Sequence, residues 1–110
     1  IYYLLTPPII RPQGDVLFEF LEIIPSLSSG VNIQVHDIRT PLDYLENVII
    51  EKVFFWNEQY ILEAILSNNK SYEVVAALNY LKHNHYDQLK SVCQYLKKDR
   101  EPGSFYFKKV

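Results

Sequence analysis

Apolar side chains recur along most of this chain at the spacing of helices. Between Ser71 and His83, Val74, Ala77, Leu78 and Leu81 fall at i, i+3, i+4 and i+7, and Tyr72, Val75, Ala76 and Tyr80 leave the opposite side apolar as well. Ser71 offers a capping hydroxyl and Glu73 a negative charge for the first turn. The spacing predicts a helix over 72–83 at the centre of the fold, buried on two sides, with Leu78 and Leu81 deep in the core. The small pair Ala76 and Ala77 would let a neighbouring helix approach.

The same reasoning predicts further elements. Val16, Leu17, Phe20, Leu21 and Ile24 give a helix over 15–24, capped by Asp15 and stopped by Pro25. Thr40, Pro41 and Asp43 read as a helix start, and Leu42, Leu45, Val48, Ile49, Val53 and Trp56 then share one face of a helix over 41–56. The run 48–56 is also β-branched and aromatic enough for a strand. Ile61, Leu62, Ile65 and Leu66 predict a helix over 58–67, and Tyr86, Leu89, Val92, Cys93 and Leu96 a helix over 86–98 with a polar, basic outer face. Alternation of Val31, Ile33 and Val35 with Asn32, Gln34 and His36 predicts a strand over 31–36. Phe105 to Val110 reads as a terminal strand and Tyr2 to Leu5 as a short one, followed by an extended, polyproline-like stretch at Pro7–Pro8.

The expected fold class is therefore mainly α. It is a compact bundle of about five helices, its C-terminal half arranged like the helix pairs of a solenoid, with one or two minor strands. The alternative is α+β, should 48–56 pair in a sheet.

Composition adjusts this picture in three places. A length of 110 residues with 48% hydrophobic residues suits one domain over 1–110 with a modest core, and a chain that starts at Ile1 without a methionine also reads as a piece of a longer one. Nine tyrosines, six phenylalanines and one tryptophan exceed what such a core needs, which favours a contact surface. Residues 1–66 carry nine acids against three bases and residues 67–110 eight bases against four acids, so a net charge of −2 conceals two halves of opposite sign. Cys93 alone supports no disulfide framework, and no run resembles a signal peptide or a membrane span. A soluble, intracellular protein of the cytoplasm or nucleus is expected.

Candidate chemistry is sparse. His83, His85, Cys93 and His36 are the only residues that offer a zinc set, and they read better as a polar turn and an apolar helix stripe. Cys93, between Leu89 and Leu96 on that stripe, is expected as a small core hydrophobe and not a nucleophile. Asp37, Asp43, Glu46 and Glu51 read as caps or solvated charge, and the isolated Gly14, Gly30 and Gly103 build no phosphate loop. No enzyme, cofactor, metal, membrane or small-molecule substrate is therefore expected.

What remains is a surface. Lys90, Gln94, Lys97 and Lys98 share the outer side of the last helix, and Phe55, Trp56 and Tyr60 cluster at the break near Asn57. The sequence thus predicts a protein-interaction module, a scaffold or adaptor, whose partner is a protein complementary to that basic face and so acidic. The order of three short helices, a turn and a strand carries a second reading, a nucleic-acid-binding winged-helix-like domain using the basic helix and Lys108 and Lys109.

Overall fold

The computed structural model describes residues 2–4, 9–51 and 56–110, the first three through their backbone. Strand β1 is Tyr2–Leu4. Helix α1 begins as an α-helix at Asp15–Phe18, widens into a π-helix at Glu19–Ile23 and returns to α at Ile24–Ser26. Pro25 falls just after the wide turn. In a regular α-helix its ring would collide with the carbonyl four residues back, and the wider turn relieves that collision, so the helix outlasts the proline expected to stop it. Strand β2 (Asn32–Val35) follows, then a π turn (Asn47–Glu51), helix α2 (Glu58–Leu66), strand β3 (Tyr72–Ala77), helices α3 (Leu78–Asn84) and α4 (Tyr86–Val92), and strand β4 (Phe105–Lys109).

The strands make one four-stranded sheet in the order β1-β2-β4-β3, with β1 parallel to β2 and the other pairs antiparallel. Successive side chains of a strand point to opposite faces. On one face Ile33 and Val35 of β2 and Phe105 and Phe107 of β4 are buried against Val16, Phe20 and Ile24 of α1 and Leu62 of α2. Each such side chain contributes about 1.5–3 kcal/mol on leaving water. On the other face Gln34 Nε2 donates to Ser104 Oγ at 3.1 Å.

The fold is thus an α+β mix, not the mainly helical bundle that the spacing predicts. The largest correction lies at 72–83. Tyr72–Ala77 is a strand on β4, with Tyr72 opposite Lys109 and Ala77 opposite Phe105, and only the segment from Leu78 is helical. Ser71 caps no helix; its carbonyl accepts from Val110 N at 2.9 Å. Leu78 and Leu81 are half-buried on α3 and not at the centre, which belongs to Phe20, Ile33, Leu62 and Phe107. With a strand in the middle, the C-terminal half has no solenoid-like run of helix pairs, nor the three consecutive helices on which the winged-helix reading rests.

Two further helices are shorter than expected. Residues 40–45 form a turn and an irregular stretch in place of the start of a helix over 41–56, with Leu42 N donating to Arg39 O at 2.9 Å; Val53 and the rest of 52–55 lie outside the described residues, as does the Pro7–Pro8 stretch. Helix α4 ends at Val92 and not near Lys98, because Cys93 takes φ −115° and ψ 76°, outside helical space. Cys93 is exposed there, against its expected place in a core stripe. The strand over 31–36, the helix over 58–67 and the terminal strand correspond to β2, α2 and β4.

Candidate functional site

The loop between α4 and β4 brings Glu101 beneath α3. Its carboxylate accepts from Asn79 Nδ2 at 2.8 Å and Lys82 Nζ at 3.2 Å, meets His83 Nε2 at 2.9 Å, and lies 3.5 Å from Arg39 Nη2. Burial alone would raise its pKa, but the hydrogen bonds from His83, Asn79 and Lys82 outweigh burial and hold it down to about 2. Both oxygens are engaged, so Glu101 anchors α3 to the loop and is not free to move protons. His83, expected in a bare polar turn, belongs to this anchor.

A small cleft of about 80 Å³ lies beside the anchor, lined by Asp37, Arg39, Tyr44, Val48, Trp56 and Glu101 among others. Gly103 closes one side. A Cβ there would meet the Asp37 backbone at 3.1 Å, so a larger residue would have to push that backbone back by a few tenths of an ångström, loosening the approach that lets Ile38 N donate to Gly103 O at 2.9 Å. Of the aromatic trio predicted at the helix break, Phe55 lies outside the described residues, while Trp56 and Tyr60 both pack edge-on to Tyr44, at 6.1 and 5.8 Å between ring centroids. Tyr60 donates its hydroxyl to Asp43 Oδ1 at 2.7 Å, which holds the Asp43 carboxyl below its ordinary range. Tyr44 Oη accepts from Gln59 N at 2.9 Å, and burial pushes its own ionisation far up. These contacts bolt the 37–45 loop to α2; Trp56 and Tyr60 both take part in that packing, and of the two Tyr60 is the well-exposed one.

Glu58 opens α2 and is 2% exposed, with Oε1 lacking a hydrogen-bond partner among the described residues. Burial first, then the nearby charges of Glu19 and Asp37, raise its pKa to about 8. Burial thus favours its neutral form, and the residues lining the cleft do not include it.

The predicted basic face divides. Lys90 Nζ turns back to donate to the carbonyls of Gln94 and Leu96, so it closes the end of α4 and is not offered to a partner; Gln94 is exposed, but its carbonyl belongs to that closure. Lys97 and Lys98 are exposed, with Lys98 Nζ 5.3 Å from the Tyr86 ring centre. The same turn leaves an open groove of about 590 Å³ whose lining includes Leu89, Val92, Cys93, Tyr95, Leu96 and Arg100. Val92 is 79% exposed and Tyr95 88%. Nothing in the local pattern foretold this groove, because a helix reaching 98 would have placed Val92 and Cys93 on a covered stripe.

Among the described residues no three His, Cys, Asp or Glu side chains group to hold a metal ion, and no helix is long and apolar enough to cross a membrane. No protein family, curated protein or solved structure matches the chain.

Proposed function

We propose that this chain is a non-enzymatic interaction module, a scaffold or adaptor, that seats an acidic and partly apolar segment of a partner protein in the groove at the end of α4. The observation that carries this reading is the exposure of Val92 and Tyr95 beside one apolar groove. Contiguous apolar surface of this kind is costly to leave in water and marks contact sites, and tyrosine is favoured at interfaces. Lys97, Lys98 and Arg100 follow directly, countered only by Asp99, and give the rim a positive sign that favours an acidic partner. The carboxyls with the largest shifts do not argue for catalysis, since Glu101 is saturated by donors and Glu58 is sealed from solvent. An exposed free thiol at Cys93 suits a reducing, intracellular setting, cytoplasm or nucleus.

The test is a displayed library of random dodecapeptides panned on the intact chain. The proposal expects sequences that combine Asp or Glu with large apolar residues, and binding that falls by about tenfold or more with Val92→Asp or Tyr95→Asp. Lys97→Ser with Arg100→Ser should slow association at low salt. Selected peptides that bind these variants as tightly and as fast as the parent would remove the groove from consideration.

A further inference from the structure

A second surface, with a charge of opposite sign, lies along the β3 edge of the sheet. Among the described residues, the order β1-β2-β4-β3 leaves β3 paired on one side only, to β4. Residues opposite each other in an antiparallel ladder alternate between exchanging hydrogen bonds and turning their backbone groups outward. Ser71 takes Val110 N at 2.9 Å, so Tyr72 and Val74, one and three residues on, turn their N–H and C=O toward the open edge. The register shift between Val74 and Ala76 comes only after these two.

Helix α2 covers the buried face of the sheet but stops short of β3. Between them runs an open groove of about 620 Å³, whose lining includes Glu63, Leu66, Val74, Ala77, Tyr80 and Phe105. Val74 is 52% exposed on the face that its neighbours in β4 and β2 keep covered. Among the described residues Glu63 is the one charged side chain lining the groove. Its Oε1 accepts from Thr40 Oγ1 at 2.9 Å and lies 3.3 Å from Gln59 Nε2, which fixes the carboxylate at the rim.

A helix or a folded patch laid in this groove would cover the apolar floor and leave the two outward N–H and C=O pairs unanswered. An extended chain answers both, because its backbone pairs with the edge while every second side chain drops into the groove. The fixed carboxylate then selects a cation near the apolar side chains. We infer that β3 and α2 together form a docking site for an extended segment of a partner protein, apolar at alternate positions and carrying a lysine or arginine, which adds to the sheet as a fifth strand beside β3. This surface does not depend on the groove at α4. Its partner has the opposite charge, so the two sites are able to bridge different proteins.

The experiment uses the intact chain carrying Val92→Asp and Tyr95→Asp, so that the α4 groove is closed, panned with displayed random decapeptides. The expected result is enrichment of sequences with apolar residues at alternate positions and a Lys or Arg. A selected peptide, made synthetically, should protect the Tyr72 and Val74 amides from hydrogen exchange. It should lose about tenfold or more in affinity against Val74→Lys, an exposed site where circular dichroism can verify an intact fold, and similarly when its edge-facing amides are N-methylated. Glu63→Gln should weaken lysine-bearing peptides more than their norleucine counterparts. The inference is overturned if no sequence is enriched, if binding survives Val74→Lys or N-methylation, or if sedimentation shows that two copies of the chain pair through β3 in solution.

Discussion

His83 Nε2 lies 2.9 Å from the Glu101 carboxylate, joining the end of α3 to the loop that leads into β4. The same carboxylate collects Asn79, Lys82 and Arg39, which draws α3 and the 39–43 turn onto one anion. Removing that anion leaves Lys82, which is buried, without its partner.

Glu101→Gln should therefore lower stability by about 1 kcal/mol or more near neutral pH, a figure that allows for the solvent reaching part of the Glu101 side chain. Its carboxyl sits at about 2 in the folded chain against an ordinary 4.5. The unfolded state thus binds the proton more readily, and the stability it contributes is full above about 4.5 and lost as pH falls toward 2. Urea melts across that window should show the parent losing stability faster than Glu101→Gln; parallel curves would show that the carboxylate contributes nothing as a charge.

Glu58 carries the opposite sign. Its folded pKa near 8 stands above the ordinary 4.5, so the folded state holds a proton that the unfolded state has released, and stability falls as pH rises through that interval. Glu58→Gln removes this loss and should raise stability by about 1–3 kcal/mol at pH 8, with little change at pH 4. Thermal melts at the two pH values measure it directly. An equal effect at both would place the cause in packing and not in the proton.

Core placement separates two leucine- and phenylalanine-sized deletions. Phe107→Ala empties a fully buried site between β2 and β3 and should cost about 3–5 kcal/mol, enough to unfold a marginal chain. Leu78→Ala, at a half-buried site, should cost less than about 2 kcal/mol. Chemical denaturation of both variants checks the order; a reversal would return the centre of the fold to α3.

At the tip of α4, Lys90→Met should loosen the 93–96 turn, because the carbonyls of Gln94 and Leu96 lose a charged donor. The expected cost is about 1 kcal/mol, with faster amide exchange in that turn. Lys97→Ser, which breaks no comparable bond, should change stability by less than about 0.5 kcal/mol.

Local pattern alone determined the elements whose neighbours agree with it. β2 alternates cleanly because one face is covered and the other polar, and α2 keeps Leu62 inward by spacing that no other element contests. At 72–77 it did not suffice. Val74 and Val75 fit a helix face or a strand equally, and the choice fell to β4, whose Phe105–Lys109 backbone has a second edge to satisfy and finds its partner in Tyr72–Ala77. The Glu101 anchor was equally invisible, since its partners lie between 18 and 62 residues away and no periodicity relates them. Nothing in the local spacing marked Glu58 and Lys82 for burial, and Val92 and Cys93 read as a covered stripe until α4 ended early. Spacing records what a residue's near neighbours allow; burial and pairing are decided by distant segments competing for the same backbone and the same water.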